Sequence, residues 1–208
     1  MIFAFFVSGA AALVLQVLWA RLLGQVLGAN ALAISTVLTV FMAGLAAGSH
    51  WGGRWAARVR RPFLAFAGLE AVVGLYGLAV PFLLSAVVWV QSELALGLSP
   101  AGYALFRFCM AAVVLAVPTV CMGASLPIVA QGWVRGGEGA AETGHLYAAN
   151  TGGAVFGAAL AGFWLIPRFG VSTTVWIAAG MDLAVAVGVA VAHPWLGRRA
   201  PRARPDDV

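Results

Sequence analysis

Six stretches of mostly apolar residues, separated by short polar segments, fix what this chain can fold into. A helix that crosses the ~30 Å hydrocarbon core of a bilayer rises 1.5 Å per residue and so needs about 20 predominantly apolar residues. Residues 2–23, 31–49, 62–90, 103–133, 144–166 and 172–192 each meet that requirement. Backbone N–H and C=O groups find no water inside a membrane, so spans of this kind close their hydrogen bonds internally as helices. Composition excludes the alternatives. Of the 208 residues 62% are hydrophobic and 9% charged, whereas a soluble domain carries about 25% charged residues. Disorder is excluded too, because a chain this apolar gains from burial.

The expected fold is therefore all-α: a polytopic membrane protein of six transmembrane helices in a domain over residues 1–192. A basic, Pro-rich tail over 193–208 reads as disordered and cytoplasmic. Residues 62–90 are long enough to tilt or project. Pro118 and Pro127 predict a kink or break in the fourth span, since proline lacks the N–H that an interior helical turn needs. Pro167-Arg168-Phe169-Gly170 predicts a tight turn between the fifth and sixth. The opening Met1-Ile2-Phe3-Ala4-Phe5-Phe6 has no basic residue, so it reads as the start of a span and not as a signal peptide.

The arginines give the orientation. Arg54, Arg58, Arg60 and Arg61 fall between the second and third spans, Arg135 between the fourth and fifth, and Arg198, Arg199, Arg202 and Arg204 in the tail. Only Arg21, Arg107 and Arg168 remain for the opposite side. Basic residues concentrate in cytoplasmic loops, so both termini are expected in the cytoplasm of an inner-membrane protein. The positive charge is thus topological. The clusters sit at membrane edges without interleaved aromatics, which argues against a nucleic-acid partner. The tail arginines are placed to touch anionic lipid.

Lipid supplies no hydrophobic drive between helices, so small residues that let backbones approach become the contact surface. Gly44, Gly48 and Gly52 form such a stripe on the second span, and Gly153 and Gly157 another on the fifth. Both are read as helix-packing residues. Spans one to three and four to six invite comparison as two related halves, with Ser35-Thr36 and Asn150-Thr151 each preceding a glycine stripe. Counted from those pairs, however, the glycine offsets do not agree.

A charge at mid-bilayer costs about 2.5–3.5 kcal/mol on insertion scales and needs a reason to be there. Glu70, in the third span, shares a face with Ala67, Gly74 and Gly77; Asp182, in the sixth, lies among alanines. Gln16 and Arg21 in the first span, Arg107 in the fourth, and Tyr147 and Asn150 in the fifth complete a candidate intramembrane polar site. One reading is a polar cavity where Glu70 and Asp182 bind a cation or relay protons, with Arg21 or Arg107 as counter-charge. The other is a set of interhelical hydrogen bonds, with the arginines snorkelling at the interfaces. Cys109 and Cys121 both lie within an apolar stretch, and no Cys/His spacing suits a metal. No catalytic residue, metal or cofactor is assigned.

As a set, several motifs resemble the membrane domain of bacterial spermidine synthase-like proteins, in which a transporter-like membrane part is fused to an aminopropyltransferase. They include the first span from Phe6 through Gln16 and Trp19 to Arg21, and the run Ser35-Thr36 through Phe41, Met42, Gly44 and Gly48 to Arg54. Gly68-Leu69-Glu70, Pro118 through Met122-Gly123-Ala124 to Pro127, and Gly144 through Tyr147 and Asn150-Thr151 to Ala154 follow in order. The resemblance implies a transporter-like module handling a polyamine or other cationic metabolite. It also implies an aminopropyltransferase-type partner domain, whose Gly-rich loop and carboxylate set this chain lacks. The chain itself is therefore not expected to be an enzyme, and it reads as the membrane part of such a protein. The basic turn around Gly53-Arg54 is similar to the one between helices two and three of major-facilitator transporters, without its acidic residue. The alternative is a non-transporting scaffold or anchor whose glycine faces assemble with a partner enzyme or another membrane subunit.

Overall fold

A computed structural model describes residues 1–27, 31–94, 98–134 and 139–197. The described residues are helical, without a strand. The helices are α1 (Ile2–Leu27), α2 (Ala31–Ala56), α3 (Pro62–Leu94), α4 (Pro100–Trp133), α5 (Gly139–Leu160) and α6 (Ile166–Gly197), with a π-helical turn, Ala161–Leu165, joining the last two. Five helical runs are long and apolar enough to cross a membrane: Ile2–Gln25, Ile34–Ala56, Pro62–Glu93, Pro100–Trp133 and Gly139–Leu196. The last of these spans 58 residues.

Several boundaries differ from those the sequence suggests. Helix α2 continues seven residues past Ser49, so Gly52, Gly53 and Arg54 are helical and not in a loop. Packing outweighs the roughly 1 kcal/mol that glycine costs a helix, because Gly52 lies against Ala124. Helix α4 is unbroken across Pro118 and Pro127. Hydroxyls close to both prolines return bonds to the backbone: Thr119 Oγ1 donates to the Leu115 carbonyl at 2.6 Å and Ser125 Oγ to that of Cys121 at 3.1 Å. Neither hydroxyl reaches the carbonyls of Val114 and Gly123, which lie four residues before the prolines and lose their N–H partners; packing covers those turns, with Val114 buried and Gly123 set against Leu45 of α2. Helix α4 begins at Pro100, a residue that fits the first helical turn, with Ser99 Oγ accepting from the Gly102 N–H at 3.2 Å.

The expected turn at Pro167–Gly170 is a sharp bend within the last helical run. Gly170 has φ 76° and ψ 175°, a left-handed backbone value that glycine adopts without steric cost. Trp164 and Phe169 meet edge-on there, 5.4 Å between ring centroids, and Thr174 Oγ1 donates to the Gly170 carbonyl at 2.6 Å. Helix α6 then carries Pro194 and ends at Gly197, beyond the expected limit at Ala192. Arg135 and the tail from 198 onward lie outside the described residues.

Two glycine seams hold the helices together. On α2, a Cβ at Gly48 would strike the Val120 carbonyl, and one at Gly52 would come within 2.8 Å of the Ala124 Cα; across the seam, Gly123 of α4 faces the Leu45 carbonyl. Gly44 faces the Thr119 side chain. On α5, Gly153 faces the Phe6 carbonyl and Gly157 that of Ala10, while Gly9 of α1 faces the Asn150 carbonyl. These contacts correspond one to one: Gly48 on Val120 with Gly153 on Phe6, Gly52 on Ala124 with Gly157 on Ala10, and Gly123 on Leu45 with Gly9 on Asn150. Helix α3 packs along α6; α4 flanks α3 and α1 flanks α6. Trp19, Leu15 and Leu115 are buried in the larger core cluster, and Phe5, Phe66 and Leu146 in a second.

Candidate intramembrane polar site

Glu70 and Asp182 reach the interior from α3 and α6, 3% and 1% exposed. Their surroundings repeat. Glu70 closes Ala67-Gly68-Leu69-Glu70 and Asp182 closes Ala179-Gly180-Met181-Asp182. The buried positions Phe63, Phe66, Ala67, Glu70 and Val73 on α3 have the same spacing as Val175, Ala178, Ala179, Asp182 and Val185 on α6. Each carboxylate therefore projects from the one face its helix turns inward, with a glycine two residues earlier on the outer face.

Both acids line one cavity of about 90 Å³, to which all six helices contribute. Its polar lining comprises Ser8 of α1, Glu70 of α3, Ser125 of α4, Asn150 of α5 and Asp182 of α6; Ala12, Leu13, Phe41, Leu45, Val73 and Met122 supply much of the apolar wall. Ser8 Oγ donates to Glu70 Oε1 at 2.9 Å. Asp182 Oδ2 has no hydrogen-bond partner, and the only comparable buried side-chain atom among the described residues is Trp19 Nε1.

The structure thus brings together Glu70, Asp182 and Asn150, and it adds Ser8 and Ser125, which the sequence alone did not single out. The signal for those two was present: Ser8 precedes Gly9-Ala10 and Ser125 follows Gly123-Ala124, so both sit beside seam glycines. The other candidates lie elsewhere. Arg21 is exposed, Tyr147 is 59% exposed, and Gln16 is half-buried outside the cavity lining. Arg107 is buried near the start of α4, with its guanidinium 5.4 Å from the centre of the Tyr103 ring. It is not a lining residue of the cavity. Tyr103 in turn is hydrogen-bonded to the Gln91 amide, tying α4 to the end of α3. Among the exposed residues, His50 pairs with Arg54 on the last turns of α2.

No Arg or His lines the cavity. Two bare carboxylates in such a space would be strongly unfavourable, because an uncompensated buried charge costs several kcal/mol. Positive charge must enter with them, as protons or as a cation. All polar lining groups offer oxygen: two carboxylates, two hydroxyls and one amide. Oxygen donors suit hard cations and ammonium groups and not soft metals. Among the described residues no three His, Cys, Asp or Glu side chains gather as a metal cluster.

Comparison of the chain with protein-family models, with curated proteins and with solved structures gives no match.

Proposed function

We propose that the chain is a transporter-like module of the inner membrane that handles a cationic solute, with Glu70 and Asp182 as its binding carboxylates. The observation that carries this reading is one partly open cavity holding two buried carboxylates, with no basic residue in its wall. Buried ionisable residues facing a cavity within a membrane are the usual mark of an ion or substrate path.

The packing supports a six-span arrangement. A straight helix of 58 residues would extend about 87 Å at 1.5 Å per residue, nearly three hydrocarbon thicknesses. Bent at Gly170, the same run crosses twice. Six crossings bring both termini to one side, and the nine arginines of the basic segments place that side in the cytoplasm. The correspondence of the seams then relates α1–α3 to α4–α6. Halves with an odd number of spans have opposite orientations, the inverted-repeat plan of many transporters, whose sites lie at the repeat interface near mid-membrane. Glu70 and Asp182 are the equivalent residues of the two halves.

The resemblance to spermidine synthase-like membrane domains favours a polyamine as the solute and an aminopropyltransferase-type domain as the partner. The cavity holds several waters' worth of space by the usual measure of ~10–15 Å³ each, so it seats one ammonium end at a time. The rival scaffold reading relied on free glycine faces; Gly44, Gly48, Gly52, Gly153 and Gly157 all face helices of the same chain. The test is uptake of labelled spermidine into proteoliposomes. Uptake abolished by Glu70→Gln and by Asp182→Asn is expected; equal uptake by the wild type and both variants would end this assignment.

A further inference from the structure

Each carboxylate comes from an equivalent position of its half, yet the two are not held alike. Glu70 accepts a hydroxyl hydrogen bond from Ser8 at 2.9 Å, whereas Asp182 Oδ2, on a side chain 1% exposed, is buried beside the cavity without a partner. An unpartnered carboxylate oxygen in a low-dielectric space is costly unless a positive charge sits against it. The cavity volume of about 90 Å³ is far below the 300–1,000 Å³ typical of organic-ligand pockets. Ser125 and Asn150 add neutral oxygens around the same space, the kind of ligand with which a small hard cation completes its shell.

We infer that Glu70 and Asp182 together form one seat for a single small monovalent cation, sodium or a proton, shared between the two halves of the fold. This deepens the cation-site reading of the cavity but does not depend on any organic solute being carried. Because the acids are equivalent by position, the seat requires both, while their identities are exchangeable. One occupant leaves one net negative charge, toward which the Ser8 hydroxyl already donates its hydrogen bond at Glu70.

The test uses the purified full chain in detergent micelles. Equilibrium binding of ²²Na⁺, against choline at constant ionic strength, reads the sodium arm. Infrared titration of the protonated-carboxyl C=O band reads the proton arm. One sodium per chain, or one carboxyl titrating as a unit with no sodium bound, supports the site and names its occupant. Glu70→Gln and Asp182→Asn should each weaken binding by roughly tenfold or more, as removal of one member of a buried charge cluster does. The exchanged double variant Glu70→Asp with Asp182→Glu should bind within a few-fold of wild type, which a loss of folding in the single variants would not mimic. Two independent occupants, none in either arm, wild-type binding in either neutral variant, or loss in the exchanged variant overturns the proposal. Sodium or proton binding without spermidine uptake would retain this site and remove the polyamine assignment alone.

Discussion

The seam between α1 and α5 and the seam between α2 and α4 share a backbone pattern and differ in the polar residues they carry. Gly9 and Gly123 each admit a neighbouring carbonyl where a Cβ would collide, but the residue offering that carbonyl is Asn150 in the first seam and Leu45 in the second. Both Asn150 and Leu45 line the central cavity. Backbone approach is thus common to both seams, whereas the chemistry facing the cavity differs between them. In a membrane, where packing and not hydrophobicity holds helices together, the shared part is the framework and the unshared part is where function can be written.

The largest effect should come from filling the seams. Gly48→Leu and Gly153→Leu each drive a side chain into a backbone carbonyl, of Val120 and Phe6 respectively, and backbone cannot step aside as a flexible side chain can. Losses of at least about 3 kcal/mol are expected, at the upper end of overpacking, read as unfolding in graded SDS mixed micelles. The two variants should suffer alike. A tolerated Gly153→Leu beside a destroyed Gly48→Leu would break the equivalence of the seams.

That equivalence was only partly legible in the sequence. The helical, apolar character was, because runs of this length and composition close their backbone bonds as helices in lipid. Their register was obscured by Ser35-Thr36 and Asn150-Thr151, which look alike but are not counterparts: Gly48 pairs with Gly153 and Leu45 with Asn150. The informative strings were Ala67-Gly68-Leu69-Glu70 against Ala179-Gly180-Met181-Asp182, and Gly9-Ala10 against Gly123-Ala124, with Trp19 and Trp133 equally far beyond. Glu70 and Asp182 could be found as intramembrane acids, but their convergence depends on how α3 lies along α6. Arg107 follows Tyr103 by one turn of α4, a spacing that sets its guanidinium beside that ring, whereas its burial depends on how the neighbouring helices cover that turn.

A subtler contrast comes from Gly9→Ala and Gly123→Ala. Each adds one methyl against a carbonyl, and a cost of about 1–3 kcal/mol is expected for both in the same unfolding assay. Only Gly9 also lines the cavity, and a methyl there would sit 2.9 Å from the Asn150 side-chain oxygen. Gly9→Ala should therefore weaken cation binding several-fold more than Gly123→Ala at matched stability. Equal binding by the two would show that Asn150 contributes nothing to the seat.

Ser8→Ala removes the hydrogen bond that Glu70 accepts from α1. Interhelical hydrogen bonds in membranes average ~0.6 kcal/mol and reach about 1.7, so the stability loss should fall in that range. Its counterpart position on α4 is Met122, also a lining residue but without a hydroxyl. Met122→Ser offers Asp182 nothing unless the halves are superimposable around the acids. If they are, the double variant Ser8→Ala with Met122→Ser should recover part of the loss, and no recovery would mean that the two carboxylates meet different walls.

The smallest effect is the most discriminating about what lies outside the fold. Gly68 and Gly180 precede the two acids at the same distance, and a methyl at either would meet nothing within 4 Å. Alanine is the better helix former by up to about 1 kcal/mol, so Gly68→Ala and Gly180→Ala should leave stability unchanged or raise it slightly. Their effects should also match, since both positions are exposed and, in a bilayer, both would face lipid tails that accommodate a methyl. A destabilisation confined to one of them, measured in bilayers and absent in detergent, would mean that another membrane surface packs against that helix alone. The symmetry would then hold within the chain but not in its assembly.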